Sequence, residues 1–242
     1  MMTTALIFAG GTGSRMNSRS KPKQFLELHG KPILIHTLEH FEYSQEINSI
    51  AVVCRENWID YLKEQLRHHF FEKVRWVVPG GETGQQSIFN GLKAIYESCD
   101  NPKETIVLIH DGVRPLINEK VISDNIATVK QFGSAITVTK AVETVIRTND
   151  LNEIVDIQDR NLAKIAKAPQ SFYLNDIMAV HLKALEDNNV TMVDSASLML
   201  HYGYKLHTVE GPVENIKITT PFDYYIFRAI YEARENSQIF GL

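Results

Sequence analysis

The sequence predicts an α/β protein in which a mostly parallel sheet is sandwiched by helices and a β-arm protrudes from it. Three observations lead there. Apolar runs of strand length alternate with segments of helical period, as in βαβ units wrapped on both faces of a sheet. The first apolar run ends in a cluster of glycines, at the strand end where open, Rossmann-like sheets take ligands. After Thr139 the alternation stops and short, polar-edged strand patterns replace it.

Taken in order, the strand candidates are Ala5–Phe8, Ile50–Val53, Val74–Val78, Ile106–His110 and Ala135–Val138. Between them Ile33, Leu34, Leu38 and Phe41 recur at helical spacing, as do Ile59, Leu62, Leu66 and Phe70, then Ile88, Leu92 and Ile95. Val121, Ile122, Ile126 and Val129 form a fourth such set. Right-handed crossovers would join these units. Val145-Ile146-Arg147 and Ile154-Val155-Asp156, separated by the turn signal Asn149-Asp150, read as a hairpin. It has too few apolar residues to stand alone, so residues 140–168 are expected to form an arm that packs against something, a second subunit in particular. Beyond it the chain predicts a helix over Leu174–Leu185, another from Asp194, a strand around Leu206–Val209 and a terminal helix from Pro221. Residues 1–242 are read as one domain.

Composition narrows the function classes. The 44% apolar content is enough for a sizeable core. With 25 Lys and Arg against 29 Asp and Glu, no general attraction to nucleic acid or an anionic membrane is expected, so any anion site must be local. No stretch approaches the ~20 apolar residues of a membrane span, and the N-terminal residues lack a signal-peptide pattern. The two cysteines, Cys54 and Cys99, are not closely spaced, which suits a reducing, cytoplasmic setting better than a disulfide framework or a zinc site.

The first strand runs into Ala9-Gly10-Gly11-Thr12-Gly13-Ser14-Arg15-Met16. Glycines let the backbone bend around a phosphate and present N–H groups to it, while Arg15 offers a forked cation. Lys21-Pro22-Lys23-Gln24-Phe25 adds two cations on a proline-stiffened loop, the charge a triphosphate requires. The spacing is neither that of a P-loop, which ends in Lys-Ser/Thr, nor that of G-x-G-x-x-G. Asp111 follows an apolar strand at its carboxyl end, and a hard oxygen ligand there suits Mg²⁺ held jointly with substrate phosphates. His110 reads as orienting the loop, and Arg114 equally as a phosphate contact or an ion-pair partner. Lys217, between Ile216 and Ile218, suggests a short strand with one side chain directed outward. Thr220-Pro221-x-Asp223 reads as a helix start, with no catalytic role for Asp223.

This ordered set resembles the cytidylyltransferase family that includes the methylerythritol-phosphate and ribitol-phosphate enzymes. The likeness rests on the glycine-Arg15 turn with Pro22-Lys23-Gln24, on Gly80-Gly81 with Ser87, and on His110-Asp111-Gly112-Val113-Arg114-Pro115. Ala168-Pro169-Gln170 and Glu214-Asn215-Ile216-Lys217-Ile218-Thr219-Thr220-Pro221 complete it, so that it spans nearly the whole chain. The resemblance implies that Ala9, Gly10, Gly11, Thr12 and Gly13, with Arg15 and Lys23, hold the triphosphate of CTP. It places Gly80, Gly81 and Ser87 near the cytosine, Asp111 beside Mg²⁺ and the ribose or acceptor phosphate, and Lys217 on the acceptor and α-phosphates. Thr144 and Arg160 match arm positions that reach into a partner subunit's site, which implies a homodimer.

The implied reaction is CMP transfer from CTP to a polyol phosphate with release of pyrophosphate. Because a phosphate monoester is already anionic, no Ser/His/Asp or Cys/His constellation is needed. The Ala-Gly-Gly-Thr-Gly opening and Val113-Arg114-Pro115 lean towards ribitol 5-phosphate or ribulose 5-phosphate, and 2-C-methyl-D-erythritol 4-phosphate is the alternative acceptor. Ala168 stands where both branches usually carry threonine, and Gly84 where an arginine is frequent. A catalytically silent nucleotide-binding domain and a sugar-1-phosphate nucleotidyltransferase are the readings from other classes; Arg15, Lys23, Asp111 and Lys217 argue against the first, and the Asn215-Ile216-Lys217 segment against the second.

Overall fold

A computed structural model describes residues 1–11 and 21–240, except for the side chains of 238–240. The elements in chain order are β1 (Met2–Ala9), β2 (Glu27–Leu28), β3 (Lys31–Pro32), α1 (Ile33–Tyr43), β4 (Ser49–Cys54), α2 (Ile59–His68), β5 (Val74–Pro79), α3 (Gly84–Glu97), β6 (Thr105–Asp111), α4 (Glu119–Phe132) and β7 (Ser134–Lys140). They continue with β8 (Ile146–Thr148), β9 (Ile154–Ile157), β10 (Lys164–Tyr173), α5 (Leu174–Glu186), α6 (Ser195–His201), β11 (Thr208–Glu210) and α7 (Pro221–Phe240).

Seven strands form the central sheet in the order β11-β7-β10-β6-β1-β4-β5. Alternate residues of the inner strands point to opposite faces, as the two-residue period of a strand requires. Ala5, Ile7, Ile50, Val52, Ile106 and Leu108 pack with α1, α2 and α4 on one face. Leu6, Ala51, Val53, Val107 and Ile109 pack with α3, α5 and α6 on the other. A smaller cluster joins Ile33, Val113, Leu116, Ile218 and Phe227, which ties α7 to the loop after β6. Among the described residues, no helix is long and apolar enough to cross a membrane.

All five early strand candidates are present, and the sheet is mostly parallel. β10 departs from that rule. It runs antiparallel to both β6 and β7, between them, and begins at Lys164, so the last residues of the segment expected as an arm lie in the main sheet. Its register breaks between Ala166 and Gln170: these residues pair with Val138 and Ile136, leaving Lys167, Ala168 and Pro169 opposite Thr137 alone. The bulge contains the cis Ala168–Pro169 bond. The Thr137 hydroxyl donates to the Pro169 carbonyl at 2.7 Å and accepts from the Asn125 amide at 3.0 Å.

Two local expectations change. Phe70 is not on the buried face of α2; the helix ends at His68, and Phe70 is exposed with φ 57°. The segment carrying Lys217 joins no sheet; it is irregular chain held by the Ile218 N–H on the Val113 carbonyl at 2.9 Å and by side-chain hydrogen bonds of Arg114 and Asn215. The hairpin is present as β8 and β9, a separate two-stranded ribbon. Ile146, Leu151, Ile154, Val155 and Ile157 on this arm are all exposed.

Candidate active site

Register brings the carboxyl ends of four strands level. Phe8 pairs with Asp111, Ala9 with Cys54, and Cys54 with Pro79. The chain runs outward from β1 through β4 to β5, then returns to the opposite side of β1 with β6. The crevice between β1 and β6 is therefore the topological switch point, where open sheets bind ligands. Gly10, Gly80 and Gly112 each follow one of these strand ends.

Close approach explains these glycines. A Cβ on Gly10 would lie 3.3 Å from the Ser87 hydroxyl, and one on Gly80 would lie 3.1 Å from it. A Cβ on Gly112 would meet Leu34 at 2.8 Å and the Phe8 carbonyl at 3.2 Å. The Ser87 hydroxyl accepts the Gly81 N–H at 2.9 Å and donates to the Thr83 carbonyl at 2.8 Å. It thus staples the Gly80-Gly81 turn to the start of α3. Gly84 is different: its nearest neighbour for a Cβ is Phe8 at 4.0 Å, so no contact excludes a side chain there.

The Lys-Pro-Lys loop is seated from below. The amide of Gln24, itself buried, donates to the Ala9 carbonyl at 2.6 Å, and Phe25 stacks on Trp58 with ring centroids 4.9 Å apart. This ties the short 3-10 turn Lys23–Phe25 to the end of β1. Lys21 pairs with Glu27 at 2.7 Å. Thr12, Gly13 and Arg15 lie outside the described residues.

Asp111 organises the charged part of the crevice. One carboxylate oxygen lies 2.6 Å from the Lys217 ammonium, and the other lies 2.8 Å from Arg114 Nε. Burial alone would raise this carboxyl, but Lys217 and Arg114 outweigh it and hold Asp111 well below the usual carboxylate range. Arg114 also donates to the Asn215 carbonyl at 2.8 Å, and the Asn215 amide donates to the Ala168 carbonyl at 2.7 Å. Asn215 is fully buried, so it locks the Lys217 segment to the bulge of β10. Burial pushes His110 down to about 3; the neutral ring faces the Arg114 carbonyl at 3.2 Å, which assigns the proton to Nε2. A neutral, buried imidazole orients the Asp111–Arg114 turn and has no proton to exchange near neutral pH.

These residues open onto a cavity of about 210 Å³. Asp111, Arg114, Lys167, Ala168 and Lys217 line it, together with Gly84, Gln85, His181 and Ser195. Gln170 and Asp194, which also line it, are held by hydrogen bonds. Gln170 donates to Asp194 at 2.9 Å and accepts the Ala196 N–H at 2.8 Å, while Asp194 caps α6 through the Ser197 N–H at 2.8 Å. Of the expected residues the structure brings Asp111, Arg114 and Lys217 together, and it places Gly10, Gly80, Gly81 and Ser87 beside one another. Thr144 and Arg160 are exposed and do not line this chain's cavity. Sequence reasoning gave no role to Asn215 or Gln170, although both lie in its motifs, and it passed over Lys167. The available signals were an asparagine opening an otherwise apolar-flanked segment and a lysine two residues before a proline within a strand, which marks a bulge.

The family described as IspD, 2-C-methyl-D-erythritol 4-phosphate cytidylyltransferase, matches residues 3–233. The chain belongs to this family. Among relatives of this IspD-family chain, a ribitol-5-phosphate cytidylyltransferase of Vibrio parahaemolyticus is 54% identical over 99% of the chain and 100% of the relative. One from Streptococcus agalactiae serotype V is 52% identical over the full length of both. Among solved structures, the 4-diphosphocytidyl-2C-methyl-D-erythritol synthase of Anaerococcus prevotii superposes with a TM-score of 0.82 at 30% identity, covering 96% of each chain. The 2-C-methyl-D-erythritol 4-phosphate cytidylyltransferase of Francisella tularensis gives 0.78 at 27% identity, over 96% of this chain and 99% of that one. Family membership makes the chain a nucleotidyltransferase.

Proposed function

We propose that the chain transfers CMP from CTP to ribitol 5-phosphate and releases pyrophosphate. The observation that carries the acceptor is the end-to-end identity of 52–54% with ribitol-5-phosphate cytidylyltransferases, against 30% and 27% for the two solved methylerythritol enzymes above. In this reading an acceptor phosphate oxygen attacks the α-phosphorus of CTP. The bond from that phosphorus to the oxygen bridging to the β-phosphate breaks, and pyrophosphate leaves with the electron pair. The acceptor phosphate is anionic near neutral pH, so no general base is needed.

The chemical difficulty is bringing two anions together and stabilising added charge at the α-phosphorus, which calls for preorganised cations. Lys217 supplies one, fixed by Asp111 and by a segment that Asn215 holds in place. Arg15 and Lys23 are assigned to the triphosphate, with Ala9, Gly10, Gly11, Thr12 and Gly13 as its backbone cradle. Thr144 and Arg160 are assigned to the acceptor of a partner subunit's site, across a homodimer whose interface would cover the exposed apolar arm.

Mg²⁺ would neutralise phosphate charge in this reaction. Among the described residues no cluster of three His, Cys, Asp or Glu is present, and Asp111 is the carboxylate at the switch point. Asp111 would hold such an ion through a lone pair not used by its Lys217 and Arg114 contacts, with phosphates and water supplying the other ligands. Cys54 and Cys99 are free thiols, in keeping with a cytoplasmic setting.

The test is pyrophosphate release from CTP and Mg²⁺ with ribitol 5-phosphate and 2-C-methyl-D-erythritol 4-phosphate offered in parallel. Preference for ribitol 5-phosphate is expected, and preference for the methylerythritol compound overturns the acceptor. Lys217→Ala is expected to lower turnover by about 10²–10³-fold, the range for removing one preorganised charge-stabilising group.

A further inference from the structure

Lys167 sits in the β10 bulge, where three residues oppose Thr137 alone. Bulges next to active sites re-aim side chains out of the regular alternation. This one brings Lys167 and Ala168 to the cavity already lined by Asp111, Arg114 and Lys217. The charges there are unequal. Asp111 is engaged by both Arg114 and Lys217, and Asp194 spends its oxygens on Gln170 and the α6 cap. The Lys167 ammonium donates to a neutral group, the Val213 carbonyl, at 2.8 Å, and among the described residues it forms no ion pair. Burial, and then Arg114, lower its pKa, with Glu214 opposing. An anion bound in the cavity would relieve that cost.

Position across the sheet indicates which anion. The glycine turn assigned to the triphosphate follows β1, Asp111 ends β6, and Lys167 comes from β10 on the far side of β6. In-line transfer needs the entering oxygen and the departing pyrophosphate on opposite sides of the α-phosphorus. With pyrophosphate leaving on the β1 side, the acceptor phosphate enters from the β10 side. We propose that Lys167 is an acceptor-binding residue that grips the phosphate of the incoming polyol phosphate beside Lys217. This rests on the transfer reaction proposed above and adds a binding group that neither the sequence motifs nor the family resemblance supplied.

The test begins with wild-type protein, Mg²⁺, CTP and the two polyol phosphates; the one turned over serves as acceptor for the variants Lys167→Met and Lys167→Arg. A wrong acceptor therefore appears in the wild-type rates, whereas a wrong role for Lys167 appears only in the variants. Lys167→Met is expected to raise KM for the acceptor by roughly tenfold or more, the loss of one charge-assisted hydrogen bond, with KM for CTP little changed. Lys167→Arg should recover most of the acceptor affinity. Equal effects on both KM values, or an unchanged acceptor KM in a variant that melts like wild type, overturn the proposal. A second readout does not depend on turnover: acetylation of Lys167, followed by mass spectrometry, should slow with either polyol phosphate or inorganic phosphate and not with ribitol. Labelling that none of the three phosphates slows also overturns it.

Discussion

Asp111 and Arg114, three residues apart in one turn, meet the distant Lys217 because a buried asparagine ties the two segments together. Asn215 makes one side-chain hydrogen bond to Ala168, and its carbonyl accepts from Arg114. Lys217 has no ladder bonds of its own, so its place depends on these contacts. Asn215→Ala would leave the Ala168 carbonyl buried without a donor, at a cost of about 1–3 kcal/mol. It would also loosen the ammonium that must meet the reacting phosphates. The expected outcome is a lower melting temperature together with reduced turnover at saturating substrates. Wild-type turnover in a destabilised Asn215→Ala protein would show that the Lys217 segment is placed by other means. Sequence reasoning picked out Lys217 because its chemistry matched an ordered motif. It expected a strand there because apolar residues flank the lysine, a pattern that irregular chain packed against Val113 and Phe227 produces equally well.

At the level of elements, the parallel units were legible because β1, β4, β6 and β7 are apolar runs buried on both faces. The edge strand β5, only half-buried, still carries Val74, Trp76, Val77 and Val78 in a run of strand length. β10 was not legible. Its first half, Lys164 to Lys167, mixes lysines with Ile165 and Ala166 and is mostly exposed, and Pro169 interrupts the alternation that would have marked the second half. Its pairing with β6 and β7 is long-range, set by partners that no local pattern shows. The bulge that shapes the cavity is held by Thr137, whose hydroxyl serves both Pro169 and Asn125. Thr137→Val keeps the shape but leaves a carbonyl and an amide hydrogen unsatisfied, at about 1–3 kcal/mol. Denaturant titration should register that loss, and the acceptor KM should rise as Ala168 and Lys167 lose their fixed position. A stability loss with acceptor KM unchanged would mean that the bulge is held elsewhere. Gly112→Ala acts on the neighbouring turn, where the added methyl meets Leu34 and the backbone of Phe8. Overpacking of this kind costs roughly 1–3 kcal/mol, and the melting temperature should fall accordingly.

Across the whole molecule, the arm and the buried histidines set two different dependences. The arm exposes Leu151 at 77% and Ile157 at 62%, on a ribbon of two short strands that cannot be stable alone. Charged substitutions at Ile154 and Ile157 should therefore shift the proposed homodimer towards monomer in light scattering and lower activity with it; a wild-type protein of monomer mass, or an unchanged mass in the variants, would exclude the arm as the interface. The histidines govern response to pH. Burial pushes His36 and His181 down to about 4, and His110 to about 3, from an ordinary value near 6.5. Below about pH 6.5 the unfolded chain binds protons at these positions while the folded chain does not. Stability therefore falls as pH drops through the window from about 6.5 to 4, by roughly 1.4 kcal/mol per pH unit for each such histidine. Depression of the Asp111 carboxyl acts in the same sense at still lower pH, because its contribution is present above the unfolded value and lost on acidification. His181 is the most informative to remove, since among the described residues its ring meets Phe89 alone and its Nε2 finds no hydrogen-bond partner. His181→Leu should flatten the acid limb of a urea-midpoint profile by about one histidine's share while leaving the profile above pH 7 parallel to wild type. An acid limb of unchanged slope would mean that His181 is already protonated in the folded protein, and the burial that holds it neutral would have to be abandoned.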